Sequence, residues 1–156
     1  MTEQWTAAQF KRFQTTGQTP SNQGKLKKEK RHKWGAKPVT YDGIRFPSKL
    51  ECAGYIRLKN WKASGFCTLF LRQVPVYFAD GRKYVMDFLA YMRNNELLAI
   101  DTKGQETQVF KGKMKTLKAE FPEINNRLTL WTREDLREEL KTLENLIAAG
   151  VAAEGR

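Results

Sequence analysis

Three extended, apolar segments follow one another between Leu69 and Lys103 with only tight turns between them. That arrangement leaves the chain little choice of topology. Leu69–Ala79 is rich in Val, Leu, Phe and Tyr, and Arg82–Met92 and Leu97–Lys103 continue the pattern. Such residues fit a pleated, half-buried surface. Asp80-Gly81 reads as a two-residue hairpin turn, and Arg93-Asn94-Asn95-Glu96 as a second turn. Strands joined this closely pair antiparallel. Pro75 has no N–H for a ladder, so the first strand belongs at a sheet edge.

Helices are expected on both sides of this meander. Tyr41–Phe46 reads as a small turn with short extended flanks, and Pro47-Ser48 then leads into a helix over Lys49–Ser64. Ser48 is a good N-cap and Gly65 a good stop. Leu50, Gly54, Leu58 and Trp61 share one face at helical spacing. A second helix is expected over Thr107–Phe121, where Phe110, Met114, Leu117 and Phe121 form an apolar stripe closed by Pro122. A fourth strand, Arg127–Trp131, precedes a last helix capped by Thr132, with Leu136, Leu140, Leu143 and Ile147 as its core stripe and Gly150 at its end. The order is helix, three strands, helix, strand, helix, which predicts an α/β or α+β sandwich around a mixed four-stranded sheet.

Charge is distributed unevenly along the chain. The formal net charge is +11, and residues 1–50 carry 11 Lys/Arg against 3 Asp/Glu. Thr15–Pro38 has almost no aliphatic residues and cannot bury enough surface to offset chain entropy. Residues 1–38 therefore read as a flexible basic arm, with a short helix expected at Trp5–Phe13, and residues 39–156 as the folded domain. The arm's second half, Lys25–Lys37, holds seven Lys/Arg and one Glu. A charge of this size points to a polyanionic partner. No apolar run is long enough to span a bilayer, and the N-terminus lacks the apolar core of a secretory signal. Cys52 and Cys67 lack the spacing of a zinc site, and His32 is the one histidine, which leaves little for histidine-based catalysis.

Polar residues inside apolar strands carry the chemical information. Asp87 lies in Tyr84-Val-Met-Asp-Phe-Leu-Ala90, where an unpaired carboxylate would cost several kcal/mol or stay protonated. A metal ion or a basic partner would compensate it. The next strand ends Asp101-Thr102-Lys103, and Asp101 and Lys103, two apart, share a face. Counting back from the turn centre, Asp87 falls opposite Thr102. Joining Asp87 to Asp101 thus requires a bulge or a three- or five-residue loop. Glu51 stands three residues after Ser48, so it reads equally as half of a capping box or as a fourth member of the set. Asp101 and Lys103 read alternatively as an ion pair at a strand end.

Glu on the first helix, Asp on the second strand and Asp-x-Lys on the third resembles the PD-(D/E)xK nuclease superfamily. The segments Tyr41–Glu51, Lys83–Phe88 and Ile100–Gly104 resemble in particular small phage endonucleases of the Holliday-junction-resolving type. The resemblance covers Val39 to Trp131. It departs from the signature at Met86, which replaces the proline, and at Asp101, which replaces the commoner Glu. It implies a restriction-endonuclease-like core and a Mg²⁺- or Mn²⁺-dependent phosphodiester hydrolase leaving 5′-phosphate and 3′-hydroxyl ends. Asp87, Asp101 and the Thr102 backbone carbonyl would hold the metal. Glu51 would complete a second metal site or hold a water beside the first, and Lys103 would orient the attacking water and stabilise developing charge. A phage protein acting in the host cytoplasm follows from the same resemblance.

DNA held against such acids needs basic residues around them. Lys25, Lys27, Lys28, Lys30, Arg31 and Lys33 in the arm are the first candidates. Lys111, Lys115 and Lys118 on the second helix are the next, and read equally as an ordinary solvated face. The two-fold symmetry of a four-way junction calls for a homodimer. The competing readings are a non-catalytic nucleic-acid-binding protein and a nuclease acting on flaps or mismatches.

Overall fold

The computed structural model describes residues 37–155. In chain order the elements are β1 (Val39–Tyr41), β2 (Ile44–Phe46), α1 (Lys49–Ala63), β3 (Cys67–Tyr77), β4 (Lys83–Met92), β5 (Leu97–Thr102), α2 (Gln108–Glu120), α3 (Pro122–Asn126), β6 (Leu128–Trp131), α4 (Arg137–Ala148) and β7 (Ala153–Glu154). The fold is mixed α/β. Four strands form a sheet in the order β3-β4-β5-β6, antiparallel as far as β5 and parallel between β5 and β6. β3 is an edge strand, as Pro75 requires.

A smaller sheet has the order β2-β1-β7. The β1–β2 hairpin turns through Asp42 and Gly43 at φ 58° and 71°, the pattern of a primed turn. Nothing in the sequence announces β7, which is too short to carry a hydrophobic period. It pairs with β1, and the Pro38 carbonyl accepts the Gly155 N–H at 2.8 Å. The folded unit thus takes in Lys37 and Pro38, read from sequence as the end of the arm. The rest of the arm, with its expected helix at Trp5–Phe13, lies outside the described residues.

Three local expectations change. The β3–β4 hairpin has a three-residue loop rather than a two-residue turn at Asp80-Gly81. Tyr77 pairs with Lys83, and the Phe78 N–H donates to the Arg82 carbonyl at 2.9 Å. Gly81, at φ 81°, supplies the left-handed residue that such loops need at their last position. Pro122 opens α3 as well as ending α2, since a helix's first turn needs no proline N–H. Thr132 caps the turn that leads into α4 rather than the helix itself: its Oγ1 accepts the Asp135 N–H at 3.4 Å and its carbonyl accepts the Leu136 N–H at 3.2 Å. Its N–H and Oγ1 donate to Asp135 Oδ2 at 2.8 and 2.7 Å in the turn before Arg137.

Ala99 and Ile100 are neighbours on β5 and point to opposite faces, and they enter different clusters. Ile100 packs with Phe88, Trp131 and α1, and Ala99 with Phe110 and Leu117 of α2. α1 is buried from Leu50 through Ile56, because α4 and the small sheet cover the side turned away from the main sheet. Arg57 fixes α1 to α4 through two 2.9 Å bonds to the Glu139 carboxylate. No helix among the described residues is long and apolar enough to cross a membrane.

Candidate active site

The register between β4 and β5 decides whether the acids meet. Phe88 pairs with Ile100, Leu89 with Ala99 and Tyr91 with Leu97. The Met92 N–H donates to the Glu96 carbonyl at 2.8 Å, which closes a three-residue loop, Arg93–Asn95. Asn95 takes the left-handed conformation at φ 67°, which asparagine tolerates better than other side chains. With this odd loop, continuing the register by one pair sets Asp87 opposite Asp101, on the same face. The sequence count that put Asp87 across from Thr102 assumed an even turn.

Asp87 is half-buried despite its apolar neighbours, Met86 and Phe88, which are both fully buried. Its Oδ2 accepts the Thr102 N–H at 2.8 Å and the Thr102 hydroxyl at 2.6 Å. Its Oδ1 lies 3.4 Å from Gln73 Nε2. The cost foreseen for Asp87 falls instead on Asp101, which is 2% exposed. Burial first, and then the neighbouring Asp87, push the Asp101 carboxyl up to about 6, against the pull of Lys103. Lys103 Nζ stands 3.1 Å from Asp101 Oδ2, close enough for an ion pair. It is not aligned for a hydrogen bond, and Oδ2 is left without one. The same ammonium sits 4.3 Å from the centre of the Phe110 ring, so α2 helps to seat it. Tyr84 lies beside Asp101, and burial first, then the two aspartates, drive its phenol above the ordinary range.

Glu51 settles between its two sequence readings in an instructive way. Ser48 Oγ accepts the Glu51 N–H at 3.1 Å, so half of the capping box forms. The Glu51 carboxylate does not return to Ser48. Its Oε1 accepts from Gln73 Nε2 at 2.8 Å. Glu51 is 3% exposed, and burial followed by Asp87 pushes it up to about 7, opposed by the Gln73 hydrogen bond and by Arg72. Glu51, Asp87, Asp101 and Lys103 thus form one connected group, with Gln73 as the link between helix and sheet.

Sequence reasoning did not single out Gln73 or the role of Phe110. Gln73 carried at most a weak signal, since it stands beside the charged Arg72 in β3 and does not interrupt a wholly apolar run as Asp87 does. Phe110 carried none beyond its place in the α2 stripe. Among the described residues, no three His, Cys, Asp or Glu side chains gather closely enough to hold a metal by themselves. The donor set nonetheless suits one. Asp87 and Asp101 are hard oxygen ligands, like charges held together, and the buried Asp101 Oδ2 has the Lys103 ammonium beside it but no hydrogen bond. Mg²⁺ is commonly held by one or two carboxylates while it keeps several waters.

Lys111, Lys115 and Lys118 are exposed on α2, whose Phe110 touches Lys103. Lys111 lies 4.0 Å from Glu106. The arm residues Lys25, Lys27, Lys28, Lys30, Arg31 and Lys33 lie outside the described residues. A family model described as "Protein of unknown function (DUF1064)" matches residues 31–134, a stretch that holds every member of the acidic group and stops before α4. No curated protein and no solved structure matches the chain.

Proposed function

Since the chain belongs to that family of proteins of unknown function (DUF1064), we propose its activity from the site: a metal-dependent, structure-selective DNA endonuclease with a restriction-endonuclease-like core. The observation that carries this reading is Asp87 facing Asp101 across β4 and β5, with the Lys103 ammonium 3.1 Å from the buried Asp101 Oδ2, which has no hydrogen bond. Asp87, Asp101 and the Thr102 carbonyl would hold Mg²⁺ or Mn²⁺, which neutralises the scissile phosphate and lowers the pKa of water. Lys103, held between Asp101 and Phe110, presents a fixed positive charge where negative charge develops on the phosphate. Water adds to phosphorus, the P–O3′ bond breaks, and the products carry 5′-phosphate and 3′-hydroxyl ends.

The resemblance to junction-resolving enzymes makes branched DNA the proposed substrate and a homodimer the proposed form. Labelled four-way junction, flap and linear duplex compared side by side, with Mg²⁺ or EDTA, test this directly. The junction should be cut only with Mg²⁺. Asp87→Asn should abolish cutting and keep junction binding as tight or tighter, because one repulsive charge is lost. Full cleavage by that variant would remove the site assignment. Junction binding without cleavage by the wild type would favour a non-catalytic nucleic-acid-binding protein.

The basic arm makes a separate prediction. If it neutralises about six phosphates, log K for DNA should fall with log salt at a slope of roughly −5. Removing residues 1–36, which lie outside the described residues, should weaken binding and flatten that slope. An unchanged slope would show that the arm does not bind phosphate.

A further inference from the structure

We propose that Gln73 is a positioning residue that ties Glu51 to Asp87 and so sets the spacing of the carboxylates that receive the metal. This role rests on the nuclease reading above. Gln73 has φ 51°, a conformation that L side chains other than asparagine and aspartate rarely adopt. It is not in a turn. Arg72 and Val74 on either side pair with Phe88 and Met86 of β4, so the distortion lies inside a strand, opposite Asp87. The Gln73 side chain is exposed, and no burial of apolar surface offsets the strain.

Its side-chain bonds go to the acids: Nε2 lies 2.8 Å from Glu51 Oε1 and 3.4 Å from Asp87 Oδ1. Thr102 holds the other oxygen of Asp87. The Asp87 carboxylate is therefore fixed from both sides, and Glu51 is drawn toward it against like-charge repulsion. Packing along β4 also changes at this point. Tyr84 and Met86 enter the cluster under α2, whereas Phe88 and Ala90 enter the cluster under α1. Asp101 completes the group, 2% exposed and with Oδ2 lacking a hydrogen bond. Strain kept at such a place, where glycine would relieve it, indicates that the side chain is needed.

The test uses the full chain as wild type, Gln73→Gly, Gln73→Met and Asp87→Asn. Melting temperature is measured without metal, and Mn²⁺ binding by titration calorimetry. Gln73→Gly relieves the backbone and should melt no lower than wild type, yet bind Mn²⁺ at least tenfold more weakly. Gln73→Met keeps the length, loses the donors and should show the same loss. Wild-type affinity in both Gln73 variants, with binding lost in Asp87→Asn, would overturn the role of Gln73 and leave the nuclease reading standing. A much lower melting temperature in Gln73→Gly would make Gln73 a structural residue and also overturn the role. Absence of Mn²⁺ binding by the wild type, or unchanged binding by Asp87→Asn, would overturn the metal site and the role together.

Discussion

Asp101→Asn is expected to raise the melting temperature of the metal-free protein at pH 8 by about 6 °C while lowering Mg²⁺-dependent cleavage roughly a thousandfold or more. The first effect follows from where Asp101 sits. At 2% exposure beside Asp87, its ionised form is disfavoured more than Lys103 favours it, which is why its carboxyl is raised to about 6. Each pKa unit is worth about 1.4 kcal/mol, and allowing for coupling to Asp87, a neutral isostere should gain on the order of 2 kcal/mol. For a chain of this size that is about 3 °C per kcal/mol. The second effect follows from losing an anionic metal ligand, since a metal supplies several kcal/mol of transition-state stabilisation. A site that destabilises its own fold when empty is a familiar cost of function.

The pH dependence has a definite sign. A carboxyl raised on folding holds its proton more tightly in the folded chain, so stability falls as pH climbs from the unfolded carboxyl range through about 6 for Asp101 and about 7 for Glu51. The metal-free wild type should therefore melt higher at pH 5 than at pH 8, and Asp101→Asn should flatten that difference. Mg²⁺ at pH 8 should restore stability to the wild type and far less to the variant. A variant that melts below wild type at pH 8 would show that the Lys103 pair outweighs burial.

Gly54→Leu is expected to cost about 3 kcal/mol, or about 9 °C in melting temperature, and to lower cleavage as well. Gly54 lies on α1 where the helix presses on the sheet. A Cβ added there would stand 3.0 Å from Phe88 Cε2, 3.2 Å from Thr102 Cγ2 and 3.5 Å from Trp131 Cε3. Gly54→Ala asks these side chains to give by a few tenths of an ångström and gains helix propensity, so it should change stability by no more than about 1 kcal/mol. Leucine cannot be accommodated that way. It would lift α1, which carries Glu51, and push Thr102, which holds Asp87. Thermal melts of the two variants, with cleavage rates beside them, check this. Equal melting temperatures for alanine and leucine would mean that α1 is not in close contact with the sheet.

Much of the architecture was readable in one dimension. The meander, α1 with its Ser48 cap, the stripe of α2, the edge position of β3 and the last helix all follow from periods and punctuation within a few residues. So did the short list of acids, because a charged residue in an apolar strand stands out wherever the strand lies. What the sequence could not supply was loop length. A two- or a three-residue turn at Asp80-Gly81, or at Arg93–Glu96, fits the same residues. Only pairing of whole strands selects between them, and that choice decides which side chains share a face.

The sequence by itself therefore determined the order of elements, the excess of positive charge near the N-terminus and the candidates Glu51, Asp87, Asp101 and Lys103. Tertiary structure decided that an odd loop ending at Asn95 turns Asp87 toward Asp101, that Glu51 leaves its cap for Gln73, and that Phe110 seats Lys103. It also decided which acid bears the burden of burial: Asp101 rather than Asp87, because α2 covers β5 while Asp87 lies half-open beside the edge strand. Each of these depends on contacts between residues far apart in the chain, set by packing and strand register, which local periodicity does not encode.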